Sequence, residues 1–263
     1  MARFLMCPPT YYGVMYQINP WMAQGQPVDK DLASKQWQDL HDTLASIPGV
    51  QVELIEPQEG LPDMVFTANA GVVKGDLFIP SNFRHPERQG ESEFFEKWFR
   101  EHGYRVEVLP KGLFFEGAGD LLKIGDTWFG GYYFRSDPQA LAVVSQLMEE
   151  AVLPLRLKDE RFYHLDTCLC RLKDSALYYP GAFDDYSLRL LRNRFPDAVE
   201  VTEEEAVRFA CNTVVIDDMF VLHRPSDRLS ATLAERGIKC VPVDMSEFIK
   251  AGGSSKCLTL RLD

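Results

Sequence analysis

Cysteine pairs at C-x-x-C spacing are missing from this 263-residue chain, whose six cysteines (Cys7, Cys168, Cys170, Cys211, Cys240 and Cys257) lie scattered along it. Their absence excludes a dense disulfide framework and fits a reducing compartment. Long apolar runs are missing too. The opening MARFLMCPPTYYG is broken by two prolines and is too short for a signal peptide or a membrane span, so a cytoplasmic location is expected. Positive charge is scarce: Lys and Arg total 28 against 39 Asp and Glu, a net charge of -11, which makes nucleic acid and anionic membranes poor partners. A small cationic molecule would be attracted, although acidity also serves solubility alone. With 46% hydrophobic and 25% charged residues, the chain has the apolar material for a substantial core. Length alone admits one large domain or two small ones.

What is present is a repeat. Turn residues stand between apolar runs in GVVKGDLFIP from Gly71, DLLKIGDTWFGGY from Asp120, CLCRLKDSALYYP from Cys168 and NTVVIDDMFVLHRP from Asn212. The starts are 49, 48 and 44 residues apart, and a further step of 45 reaches CLTLRLD at Cys257. There the chain ends before a return strand, and RFLMCPP from Arg3 is the expected partner. Amphipathic helix patterns follow from Glu91, Asp137, Asp184 and Ser226, with a fifth from Val28, several opening on Ser or Asp caps and closing at Gly or Pro. Short β-rich runs come next at Val50, Val106, Leu153, Ala198 and Lys239. Five ββαβ modules whose last is completed by the first imply an α/β fold closed into a ring, and hence a single domain over residues 1–263. An open α/β sheet with accidental spacing is the alternative.

In such a ring the residues just before each hairpin converge. Glu116 lies four residues before Asp120, His164 four before Cys168, Asn69 just ahead of the first hairpin, and Asn212 and Cys257 open the last two. RFYHLDTCLCRL, read as a strand, puts His164, Asp166, Cys168 and Cys170 on one face. Taken alone, His164 reads more readily as a buried histidine bonded to a neighbour than as a catalyst, and its spacing to the cysteines matches no common zinc site. Glu116, between an aromatic pair and glycines in FFEGAGD, suits partial burial beside a cation. AGGSSKCLTL brings a flexible polar loop to Cys257, a favourable setting for an accessible nucleophile; it lacks the P-loop spacing and precedes a strand.

Together YYGVMYQINPWM, PDMVFTANAG, ERQGE, FEGAGD, GYYFRS, DERFYHLDTC, FACN and AGGSSKCLTLR resemble the guanidino-group-modifying superfamily, the pentein fold or five-bladed α/β propeller, over nearly the whole chain. The pattern is most similar to the cyanobacterial arginine dihydrolases. This resemblance implies Cys257 as nucleophile, His164 as acid/base, and Glu116 and Asp166 as the carboxylates holding the guanidinium. It also implies Arg88 and Arg135 as the clamp for the substrate's α-carboxylate, a task suited to forked donors. Asp63 and Asp120, in the matching motifs, are expected among the substrate-binding residues. Asn69 stands where arginine deiminases and dimethylargininases carry Asp. An amide both donates and accepts, so it suits a neutral ureido group as well as a cation.

The implied chemistry is attack of a thiolate on the guanidinium carbon, release of ammonia, and hydrolysis of a thiouronium intermediate, with no metal and no organic cofactor. A second hydrolysis would take citrulline to ornithine. Dimethylarginine hydrolysis or plain deimination to citrulline, amidino transfer, and a non-catalytic arginine-binding module remain alternatives. The larger cyanobacterial versions carry a C-terminal domain, and ornithine cyclisation is not expected of a chain ending at Asp263. The sequence leaves homo-oligomerisation open.

Overall fold

The computed structural model describes residues 1–22 and 27–263. Each of the expected hairpins forms, and each acquires a third strand from the β-rich run after its helix. The sheets are Gly71–Lys74, Leu77–Pro80 and Arg105–Val106; Leu121–Ile124, Thr127–Tyr132 and Val152–Arg156; Leu169–Leu172, Ser175–Tyr178 and Val199–Glu200; and Val214–Ile216, Met219–His223 and Lys239–Val243. In every one the first two strands are antiparallel and the third runs parallel to the second. A parallel neighbour cannot be reached by a tight turn, so a helix makes each crossover. These helices are Glu91–Glu101, Pro138–Met148, Asp185–Arg194 and Asp227–Glu235.

The fifth sheet joins the two ends of the chain. Ala2–Met6 pairs antiparallel with Leu260–Arg261 and parallel with Val50–Leu54, with Lys30–Ala45 as the crossover helix. The pairing of RFLM with the C-terminal run is therefore as expected, although its strand starts at Leu260 and leaves Cys257 in the preceding turn.

Capping follows the sequence at three helices: the side chains of Asp29, Asp184 and Ser226 accept from the backbone N–H of Leu32, Ser187 and Leu229. Asp137 differs. It opens its helix without capping it, because its carboxylate is taken by Arg84 at 2.5 Å and by the Phe114 N–H at 3.0 Å. Apolar side chains between sheets and helices make up the core, with Phe78, Phe95, Phe99, Phe129, Phe162 and Phe220 fully buried. Among the described residues no helix is long and apolar enough to cross a membrane.

The strand expected over RFYHLDTCLCRL requires correction. His164 is extended but is followed by a 3₁₀ turn at Leu165–Thr167, and the strand begins only at Leu169. Thr167 Oγ1 donates to the His164 carbonyl at 2.7 Å and Cys168 N–H to the Leu165 carbonyl at 3.1 Å, which fastens the turn. His164 and Asp166 consequently do not share a strand face; they address different partners.

Candidate active site

Five of the sequence-predicted residues line one pocket: Asp63, Asn69, Arg88, Arg135 and Cys257. All are buried. Asp63, Asn69 and Cys257 come from turns that precede hairpins, whereas Arg88 stands in the short helix Pro86–Gln89 and Arg135 in the segment after the strand Thr127–Tyr132. Asp63 and Asn69 stand in two consecutive 3₁₀ turns, Pro62–Val65 and Thr67–Asn69, and Cys257 lies across from them, its carbonyl accepting from Ala68 N–H at 3.0 Å. The glycines of the AGGSS loop are required where it turns back. Gly252 has φ +85°, and a Cβ there would lie 2.7 Å from the Tyr163 hydroxyl, which donates to the Gly252 carbonyl at 2.8 Å.

Asn212 fixes the nucleophile candidate. Its Oδ1 accepts from the N–H groups of Ser254 and Cys257, both at 3.1 Å, while its Nδ2 donates to Cys257 Sγ at 3.0 Å and to the Asp166 carbonyl at 3.2 Å. The Asp166 carboxylate stands 3.7 Å from the same sulfur. Burial pushes the Cys257 thiol well up, helped by the Asp166 charge, and raises Asp166 itself to about 6. At rest the sulfur is therefore a thiol, and a cation placed beside it would favour the thiolate.

His164 and Glu116 do not themselves line this pocket but connect to it through Arg135. His164 Nε2 lies 2.7 Å from Glu116 Oε2, which also accepts from Arg135 Nη1 at 3.0 Å. Burial alone would raise Glu116, but the Arg135 guanidinium and the His164 hydrogen bond outweigh it and hold this carboxyl far below its usual range. An ionised carboxylate only accepts, so Nε2 carries the hydrogen of this bond. At His164, by contrast, burial dominates and pushes the pKa down to about 4, leaving a neutral imidazole in one tautomer. Gly117 lets this strand-end pass close to its neighbour: it has φ +66°, and a Cβ would lie 2.7 Å from the Gly71 carbonyl oxygen. Asn69 Nδ2 completes the link by donating to the Glu116 carbonyl at 3.2 Å.

Asp120 lies elsewhere. Its oxygens are engaged by the Ser136 hydroxyl at 2.6 Å and the Leu165 N–H at 3.1 Å, which ties the loop after Glu116 to the His164 turn, and it is not among the pocket residues. Asp63 keeps a buried Oδ1 without a hydrogen-bond partner among the described residues. Sequence reasoning noted that Asn212 converges on the centre but gave it no task. It missed Tyr163, whose ring lies under the Arg135 guanidinium at 4.5 Å, and Ser136, for which only the motif GYYFRS gave a signal.

The pocket itself measures ≈ 10 Å³, room for about one water. Ile18, Asn19 and Met22 cover it. Asn19 Nδ2 donates to the Ala251 carbonyl at 3.0 Å, and the Ile18 carbonyl accepts from Arg135 at 2.9 Å. Outside lies a vestibule of ≈ 600 Å³ that shares Ile18, Asn19, Arg135 and Tyr163 with the pocket. A ligand as long as arginine enters only if this covering segment moves. Among the described residues no group of three or more His, Cys, Asp and Glu side chains is arranged to hold a metal ion.

Over residues 17–262 the chain matches the family model for eukaryotic N,N dimethylarginine dimethylhydrolase. The chain belongs to that family. A relative within it, the N(G),N(G)-dimethylarginine dimethylaminohydrolase of Mycobacterium tuberculosis, is 42% identical over 261 residues, 99% of this chain and 85% of the relative. The bifunctional arginine dihydrolase/ornithine cyclodeaminase AgrE of Nostoc sp. is 48% identical over 266 residues, 99% of this chain but 38% of AgrE. The chain thus spans less than two fifths of the length of this relative. Solved structures of the N-terminal domain of ArgZ, a cyanobacterial arginine dihydrolase, bound to substrate or covalently to a reaction intermediate, superpose with a TM-score of 0.97 at 46% identity, covering 100% of this chain and 98% of theirs. Family membership and this likeness agree that the relatives are hydrolases of arginine or dimethylarginine.

Proposed function

We propose that the protein is an arginine dihydrolase, converting arginine to ornithine, ammonia and carbon dioxide. The observation that carries this reading is the sulfur of Cys257 in one buried pocket with Asn69, Asp63 and two guanidinium groups, and with Asp166 3.7 Å away. A bound guanidinium brings positive charge against a thiol that burial has kept protonated, which favours loss of its proton at the moment substrate arrives. The thiolate adds to the guanidinium carbon. His164, neutral at rest and oriented by Glu116, takes up the proton that the thiol loses, gives it to the departing ammonia, and then takes a proton from the water that cleaves the C–S bond. One water is consumed and citrulline remains. Asn69, which both donates and accepts, suits retention of this neutral ureido product. A second round consumes another water and releases ornithine, ammonia and carbon dioxide.

Arg135, with donors to spare, is assigned to the α-carboxylate, Arg88, most of whose donors are committed, to holding Asn69, and Asp63 to the polar end of the substrate. The reading takes residues 1–263 as one domain whose five ββαβ units stand as blades of a propeller. The expected cytoplasmic location stays with it, as does the absence of any cofactor from the reaction. Hydrolysis of dimethylarginine to citrulline and dimethylamine is the second reading, favoured by the family match.

Mass spectrometry of products from arginine, citrulline and dimethylarginine tests the choice. Ornithine formed from both arginine and citrulline is expected; citrulline as the end product would overturn the double hydrolysis. Cys257→Ser and His164→Ala are each expected to lower kcat by at least about 10³-fold with folding retained. Appreciable turnover in either removes that residue from its role.

A further inference from the structure

A second cavity, of ≈ 460 Å³, shares no residue with the substrate pocket. Each of the five sheets lends it residues from one strand, Gly71–Lys74, Leu121–Ile124, Leu169–Leu172, Val214–Ile216 and Leu260–Arg261, and Phe4 and Trp128 join them from Ala2–Met6 and Thr127–Tyr132. Its volume is that of a small-molecule site, which commonly runs to about 300–1,000 Å³. Its charge is opposite to that of the protein as a whole. Five basic side chains line it, Lys74, Lys123, Arg171, Lys256 and Arg261, against the two acids Asp166 and Asp263.

Three of the five cations are already matched. Lys74 bonds to the Met148 carbonyl and lies 3.3 Å from Glu150, Lys123 lies 4.0 Å from Glu150, and Arg261 pairs with Asp263 at 2.9 Å. Lys256 and Arg171 are different. Among the described residues neither side chain makes an ion pair or a hydrogen bond, and Lys256 Nζ is buried. A buried ammonium without a partner is costly, whereas an oxyanion returns charge-assisted hydrogen bonds to it.

We propose that this cavity binds a small oxyanion, a phosphate or a carboxylate, held by Lys256 and Arg171. Its position makes it a site that the catalytic centre can sense. Lys256 is the residue before Cys257, and Asp166 lines this cavity while standing 3.7 Å from the Cys257 sulfur. The Lys256 charge favours the ionised forms of both Asp166 and Cys257, behind the larger opposing effect of burial. An anion that neutralises Lys256 withdraws that support, so occupancy lowers kcat without competing with arginine. This last step rests on Cys257 as nucleophile; the binding itself does not.

Calorimetric titration with inorganic phosphate and with succinate tests the site, using wild-type protein, Cys257→Ser, Arg171→Gln and Lys256→Met. Saturable binding of one anion is expected in wild type and in Cys257→Ser. It should persist in Cys257→Ser saturated with arginine, and weaken about tenfold or more in Arg171→Gln, as loss of one charge-assisted hydrogen bond dictates. Lys256→Met should weaken it similarly, and the better-bound probe names the class. Arg171 is only partly buried, so its substitution leaves the fold intact even if Lys256→Met does not. Displacement by arginine would put the anion on Arg88 or Arg135 and overturn the proposal. Absence of saturable binding, or binding indifferent to Arg171→Gln, would do the same. In kinetics, the bound anion is expected to reduce kcat at unchanged KM; inhibition that raises KM alone overturns the coupling.

Discussion

Two buried arginines look alike in composition of their surroundings and differ in what they have left to give. Arg88 lies 4.5 Å over the Phe83 ring beside Glu91, and Arg135 lies 4.5 Å over the Tyr163 ring beside Glu116. Arg88 gives Nε and Nη2 to the two oxygens of Glu91, both at 2.8 Å, Nη1 to Asn69 Oδ1 at 3.0 Å, and Nη2 again to the Asp63 carbonyl at 3.1 Å. Four of its five N–H groups are committed. Arg135 commits two, to Glu116 and to the Ile18 carbonyl of the covering segment. The first guanidinium is a brace that aims Asn69. The second is joined to the Glu116–His164 pair on one side and to the cover on the other, with donors free for a carboxylate.

Removing each glutamate charge separates these roles most strongly. Glu116→Gln takes the ionised acceptor from His164 and from Arg135 at once, and kcat is expected to fall by about 10²–10⁴-fold, the range of general acid–base contributions. Glu91→Gln breaks a fully buried bidentate pair, and its main effect is expected in stability, about 3–5 kcal/mol by denaturant unfolding, with kcat of the folded protein changed less. Equal losses of kcat in the two variants would break the distinction.

Arginine-to-lysine substitutions probe the donors themselves and should act more mildly. Lysine keeps the charge but not the fork. In Arg135→Lys the free donors are lost to the substrate, and KM for arginine is expected to rise about tenfold or more with a smaller change in kcat. In Arg88→Lys, Asn69 loses its brace, so the expected signature is a lower melting temperature and a lower yield of ornithine relative to citrulline. A pure KM effect in Arg88→Lys would return that residue to the carboxylate clamp.

None of this donor accounting could be read from the sequence, because ERQGE and GYYFRS each show one arginine among acids or hydroxyls without showing which N–H groups are used. The modules were readable for a physical reason: turn residues between apolar runs recur at nearly constant spacing, and the local signal agrees with the fold each time. The His164–Asp166 segment failed for an equally local reason. Alternation of apolar and polar residues also fits an extended residue followed by a 3₁₀ turn, and the choice was made by the Thr167 hydroxyl and by Asp120 from another module. Asn212 was visible as a convergent amide. Its four hydrogen bonds to the Cys257 loop and Asp166 depend on distances that no spacing encodes.

The smallest effect, and the one that reads the Arg135 unit without turnover, is the pH dependence of stability. His164 is pushed down to about 4 from 6.5, so below pH 6.5 the unfolded chain binds a proton that the folded imidazole refuses. Its contribution is fully present above pH 6.5 and is lost as pH falls toward 4. Asp166 runs the other way: raised from 3.8 to about 6, it contributes below pH 3.8 and loses that contribution as pH rises through 6. Each slope approaches about 1.4 kcal/mol per pH unit at its steepest, and between pH 4 and 6 the two oppose each other. Denaturant unfolding across this window separates them. Relative to wild type, His164→Asn, which can still donate to Glu116, is expected to lose stability as pH rises from 4 to 6, and Asp166→Asn to gain it. A His164→Asn profile parallel to wild type would mean that the imidazole is not held neutral between Glu116 and Arg135, and the contrast between the two arginine units would lose its titrating member.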